Sequence, residues 1–251
     1  MKVIAAIILV SIFSAVSVWW LAFPTSQLAA TSTSDYILTW TEPTTQSTRL
    51  GEVQGLTDGK VNAFLGLPYA KPPIGKLRFR APEAVEPWQE TLAANAFPNV
   101  CMQADSGFDV FDNSALSEDC LYINIFTPAT SLSPETGENL LPVLFWIHGG
   151  SFTSGSANGY DGSVLAHQGG VIVVAINYRL GAFGFLDLSE YGEEFSGSAS
   201  NGIRDQIQAL KWVRDNIADY GGDASNVTIF GESAGGQSVL AILASPSADR
   251  L

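Results

Sequence analysis

Residues 230–236 read FGESAGG, placing Gly231, Ser233 and Gly235 at alternate positions directly after an apolar run. A serine hydroxyl is a latent nucleophile, and a tight turn between small residues can hold it at strained backbone angles above a sheet. Glycines two before and two after leave room for a strand and a helix to approach each other. The flanking residues supply those elements: VTIF (227–230) reads as a short strand and QSVLAILA (237–244) as a helix. A bare G-x-S-x-G is weak, but strand, turn and helix together read as a nucleophile elbow. The serine would then sit at a helix N-terminus, where partial positive charge favours a developing anion.

Attack on a carbonyl also needs donors for the tetrahedral oxyanion. WIHGGSF (146–152), at the end of an apolar run, offers consecutive small residues whose backbone N–H groups can face a pocket; Ala234, just after the serine, offers another. A base is required as well, and the chain order for such a triad is serine, acid, histidine. After Glu232 the acid is Asp249, and no histidine follows Ser233. His148 lies beside the glycine turn and His167 in SVLAHQGG, which reads as a helix end; both read as structural or surface histidines. Glu232, next to the serine, either adjusts site electrostatics or is a solvated carboxylate. Metal chemistry is a poor fit, since two Cys and two distant His lack zinc spacing. No cofactor is called for.

The elements that position these residues alternate. Leu121, Ile123 and Ile125 fall on one face of LYINIFTP and Tyr122, Asn124 and Phe126 on the other, a strand pattern. Val143–Ile147 and Val171–Ile176 are apolar on both faces, as in the middle of a covered parallel sheet. Ile203, Ile207, Leu210, Val213 and Ile217 recur at steps of three and four, giving one buried helical stripe that Gly221 and Gly222 terminate. Alternating strands and helices predict an α/β layer fold.

Composition agrees. Twelve Lys and Arg against 25 Asp and Glu give a net charge of −13, with no basic cluster, so nucleic acid is a poor partner. The first 34 residues carry one charge, Lys2, and residues 3–23 form a continuous apolar and small-residue run. Residues 1–30 therefore read as a secretory signal peptide or an N-terminal membrane anchor. Either implies export, to a secreted, periplasmic or extracellular location, free or held at a membrane. Residues 31–48 read as a Thr/Ser-rich linker and first strand, and 49–251 as the folded part. Cys101 and Cys120 suggest a disulfide in an oxidising compartment, worth ~3 kcal/mol on the chain-entropy model. Asn226-Val227-Thr228 is a glycosylation sequon, but it opens what reads as a buried strand.

Ordered stretches along the chain resemble the type-B carboxylesterases, the carboxylesterase–cholinesterase group of α/β-hydrolases. They are GLPYAKPPIGKLRFRAPEAVEPW (66–88), SEDCLYINIFTP (117–128), WIHGGSFTSG (146–155), INYRLGAFGFL (176–186) and DQIQALKWVRDNIADYGGDASNVTIFGESAGG (205–236). The resemblance implies an α/β-hydrolase fold, a central, mostly parallel sheet with helices on both faces. It implies an acyl-forming Ser233, oxyanion N–H groups from Gly150, Ser151 and Ala234, and a turn shaped by Gly149. It also implies a Cys101–Cys120 disulfide and a structural ion pair between Arg78 and Glu118. The partner is a small-molecule ester. In the family, choline esters are held by a tryptophan in the first disulfide loop; here that loop carries Phe108 and Phe111 instead, which implies poor preference for quaternary ammonium esters. The chain reads as the N-terminal half of such an enzyme, catalytically incomplete because acid and histidine are missing. The alternative is a non-catalytic, cholinesterase-like adhesion or binding module.

Overall fold

In the computed structural model the described residues are 40–104, 116–132 and 140–248. The expected signal or anchor segment, Phe108, Phe111 and Asp249 lie outside them. Among the described residues no helix is long and apolar enough to cross a membrane.

Three strands open the sheet: β1 (Glu42–Thr48), β2 (Gly51–Thr57) and β3 (Val61–Pro68). They pair antiparallel in sequence order. The β1–β2 turn is pinned by Thr48, whose hydroxyl donates to the Gly51 carbonyl at 2.7 Å and accepts from the Leu50 N–H at 3.2 Å. A two-residue strand β4 (Leu92–Ala93) adds beside β2. The pair β5 (Val100–Cys101) and β6 (Leu116–Ser117) forms a separate ribbon at the disulfide. Then β7 (Tyr122–Pro128), β8 (Leu141–Ile147), β9 (Ile172–Ile176) and β10 (Gly222–Gly231) complete the order β1-β2-β3-β7-β9-β8-β10. The sheet is mixed: β9, β8 and β10 run parallel, while β7 is antiparallel to both of its neighbours.

Helices cover both faces. The short α1 (Ser163–Gly169) packs Ala166 against Val61, Ala63, Leu65, Phe126 and Val173. The short helix α2 (Gly181–Phe185) leads into α3 (Asn201–Asn216), which a 3-10 turn extends to Tyr220. Gly221, at φ 84°, ends it in the left-handed conformation that glycine adopts without steric cost. Ile207, Leu210, Val213 and Ile217 of the expected stripe are buried and Ile203 is half-buried. They lie against Val143, Phe145 and Ile147 of β8 and Ile242 of α4 (Ala234–Ala244), on the face opposite α1. Each fully buried aliphatic side chain there contributes ~1.5–3 kcal/mol, which sets this helix on the sheet.

Two differences from the sequence reading have simple causes. β9 is buried on both faces, but Leu144 and Trp146 of β8 are half-buried. Helix α1 lies over β3, β7 and β9, and the outer face of β8 is covered instead by Tyr160 and Phe230, whose rings lie 4.5 and 5.0 Å from that of Trp146. β10, which bears Asn226, is the sheet margin among the described residues, and Asn226 is exposed there. Leu240 and Leu243 of α4 are also 69% and 72% exposed, and Leu243 lines a groove of about 270 Å³ with Val227, Ile229 and Ile242.

Candidate functional site

β10 ends at Gly231, and α4 begins at Ala234, three residues earlier than the apolar periodicity indicates. Between them Ser233 takes φ 53° and ψ −117°, a conformation that costs a side-chain-bearing residue ~1–3 kcal/mol and persists only when its surroundings impose it. The surroundings here are backbone. A Cβ on Gly231 would stand 2.7 Å from the Ile147 carbonyl oxygen, and one on Gly235 would stand 3.0 Å from that of His148 and closer still to that of Ile147. Both glycines are therefore required for β8, β10 and α4 to converge. The Gly235 N–H donates to Glu232 O at 2.7 Å and the Gln237 N–H to Ser233 O at 3.1 Å, closing the elbow. Ser233 is exposed, and its hydroxyl makes no capping bond to the helix it precedes.

The glycine turn after β8 meets this elbow directly. A Cβ on Gly149 would lie 2.8 Å from Glu232 O and 3.1 Å from Ser233 Cβ, and would collide with Glu232 Oε2. Gly149 thus acts by close approach, whereas the left-handed part of the turn is Gly150 (φ 99°), Ser151 (φ 56°) and Phe152 (φ 61°). The Gly150 carbonyl accepts the Thr153 and Ser154 N–H groups, each at 3.0 Å. The Gly149 carbonyl lies 2.8 Å from His148 Nδ1; a carbonyl only accepts, so that nitrogen carries the proton. In a trans peptide C=O and N–H point apart, so both engaged carbonyls turn the N–H groups of Gly150 and Ser151 the other way. Ala234, the first residue of α4, is buried behind the serine.

His148 is buried and stacks on Tyr178 with ring centroids 4.3 Å apart, while the Tyr178 hydroxyl donates to His148 O at 2.9 Å. Burial pushes its pKa down to about 4, partly offset by the bond to Gly149, so the ring is neutral at physiological pH. His167 is exposed in the last turn of α1, against a different set of strands from α4. Neither histidine is hydrogen-bonded to Ser233 among the described residues.

Braces surround the site. Cys101 and Cys120 are joined, with Cα atoms 5.0 Å apart. Arg78 grips Glu118 through two contacts, Nε–Oε2 at 2.5 Å and Nη2–Oε1 at 2.6 Å, at a partly exposed position where solvent screening keeps the pair weak. A deeper pair, which the motifs do not signal, joins Arg179 to Asp205. Arg179 donates through Nε to Asp205 Oδ2 at 2.8 Å and through Nη2 to Oδ1 at 2.7 Å, and its N–H and Nη1 bond Asp205 Oδ2 and Arg80 O. Burial pushes the Asp205 carboxyl up, opposed by the Arg179 guanidinium. Both residues lie inside motifs quoted above, but strand and helix periodicity carry no signal that pairs them. Among the described residues no cluster of His, Cys, Asp or Glu could hold a metal ion.

Comparison with known proteins places this geometry. A model of the carboxylesterase family matches residues 42–251. The para-nitrobenzyl esterase of Bacillus subtilis (strain 168) is 49% identical over 209 residues, 82% of this chain and 41% of its own length. Human carboxylesterase 5A is 41% identical over 250 residues, 94% of this chain and 40% of its own. A solved PNB esterase structure superposes with a TM-score of 0.75 at 48% identity, covering 82% of this chain and 42% of that one. A Geobacillus stearothermophilus carboxylesterase crystal structure gives a TM-score of 0.74 at 44% identity, covering 82% and 41%. The chain thus spans well under half the length of these proteins.

Proposed function

The chain belongs to the carboxylesterase family and has the α/β-hydrolase fold, and from that premise we propose that it carries the acylation half of a serine esterase site. The observation that supports this best is the strained, exposed Ser233 at the start of α4, with Gly149 against its Cβ. On this reading Ser233 Oγ attacks the ester carbonyl carbon and its proton passes to a general base. The oxyanion accepts hydrogen bonds from the N–H groups of Gly150, Ser151 and Ala234, and the N-terminal dipole of α4 adds to their effect. Collapse expels the alcohol and leaves an acyl-serine, which water then cleaves.

The base is neither histidine of this chain. His148 is buried and stacked on Tyr178 with no hydrogen bond to Ser233, and His167 sits on another helix. The acid and histidine that complete the triad are supplied by residues outside 1–251, in the order serine, acid, histidine. The substrate is a small-molecule carboxylic ester, with poor preference for quaternary ammonium esters, since the loop after Cys101 has no tryptophan to hold that group. Residues 1–30 direct export, as a cleaved signal or an anchor; a mature N-terminus near residue 31 distinguishes the first from the second.

Assay of a p-nitrophenyl ester tests the catalytic claims. The 251-residue chain alone is expected to stay close to background, because a site lacking a triad member retains only ~10³–10⁴-fold over water. Fused to the C-terminal portion of the Bacillus subtilis para-nitrobenzyl esterase, it should turn over, and Ser233→Ala should abolish that turnover. Robust Ser233-dependent hydrolysis by the chain alone would place the base within it and defeat the incomplete-triad reading. Turnover by the fusion that survives Ser233→Ala would defeat the nucleophile assignment.

A further inference from the structure

Gln103 lies two residues beyond the disulfide cysteine Cys101, and its side-chain amide meets the backbone of Gly155 on both sides. Nε2 donates to the Gly155 carbonyl at 3.0 Å and Oε1 accepts the Gly155 N–H at 2.8 Å. Nε2 also donates to the Cys101 carbonyl at 3.1 Å. Both polar backbone groups of one glycine are thus taken by one primary amide. A side chain with an acceptor and a two-proton donor at this reach is needed: glutamate offers no donor when ionised, and asparagine is one carbon shorter.

Gly155 closes the turn that starts at Gly149. A Cβ there would stand 2.6 Å from the Gly149 carbonyl oxygen and 3.0 Å from His148 Cε1, so Gly155 abuts the peptide that His148 holds. The neighbouring Ser154 N–H bonds the Gly150 carbonyl. Holding Gly155 in place therefore constrains the peptide planes that orient the Gly150 and Ser151 N–H groups.

We infer that Gln103 is a positioning residue that clamps the oxyanion turn to the Cys101–Cys120 disulfide. This rests on the reading of Gly150 and Ser151 as oxyanion donors, but the clamp can be measured without catalysis.

The test is amide hydrogen exchange, resolved by residue, on the 251-residue chain and its Gln103→Ala and Gln103→Glu variants, with unfolding midpoints alongside. In Gln103→Ala the Gly155 amide should exchange about tenfold faster and the Thr153 and Ser154 amides, which bond the Gly150 carbonyl, should quicken with it, while β8, β9 and α3 keep their protection. Gln103→Glu keeps the acceptor but sets a carboxylate oxygen against the Gly155 and Cys101 carbonyls, so at neutral pH Gly155 should exchange about as fast as in Gln103→Ala. Reducing the disulfide in the unaltered chain should loosen the same amides, a measurement that stands if Gln103→Ala fails to fold. Release of Gly155 with the Thr153 and Ser154 amides unchanged would overturn the inference, leaving Gln103 as a local anchor of Gly155 alone. Acceleration spread evenly over the sheet, or no response to reduction, would overturn it as well. Esterase activity plays no part in these readings, so a failure of the catalytic proposal would show separately in the ester assay.

Discussion

Gly149 and Ser233 come together so closely that a methyl group on the glycine would stand 3.1 Å from the serine Cβ. They lie on separate turns, one following β8 and the other following β10, and parallel pairing of those strands through Phe145–Ile229 and Ile147–Gly231 brings the two turns side by side. The glycine turn and the Ser233 elbow are thus held in register by sheet hydrogen bonds as well as by their own close approach.

Gly149→Ala should therefore destabilise the fold by about 1–3 kcal/mol, the usual cost of forcing a methyl into a filled site. The Glu232 backbone cannot retreat without moving Ser233. Urea unfolding of the purified chain reads this directly, and an unchanged midpoint would mean that the elbow yields more easily than its packing implies.

His148 makes stability depend on pH. Its folded pKa lies near 4, below the ordinary 6.5, so the unfolded chain takes up a proton first on acidification. The contribution is fully present above pH 6.5 and is lost as pH falls toward 4. Over that window it amounts to about 3 kcal/mol. His148→Gln should remove this part of the slope, and parallel stability–pH curves for the two proteins would contradict the assignment.

Asp205→Ala should be among the more damaging single changes, costing about 3–5 kcal/mol, because it leaves the Arg179 guanidinium buried without its partner. Replacing both residues by apolar side chains of similar volume should cost less than removing the aspartate alone. Midpoints in the opposite order would show that the pair is held open to water.

Much of this molecule is legible along the chain because short-range sterics and periodicity write it there. The spacing of Gly231, Ser233 and Gly235 announces the elbow, since only glycine lets backbone carbonyls approach so near. The stripe from Ile207 to Ile217 announces α3, and two cysteines alone in the sequence announce their bond. The start of α4 at Ala234 escapes periodicity, because Ala234 and Gly235 have no large side chain to mark a face and are drawn into the helix by the Gly235–Glu232 and Gln237–Ser233 hydrogen bonds. The order that inserts β9 between β7 and β8, the fork of Arg179 on Asp205, the burial of His148 and the clamp of Gln103 on Gly155 escape it too. These join residues far apart in the chain, where the partner is chosen by the whole packed sheet. A hydrophobic period reports which face of an element is buried; it carries no information about what lies against that face, and that is settled only when the layers close.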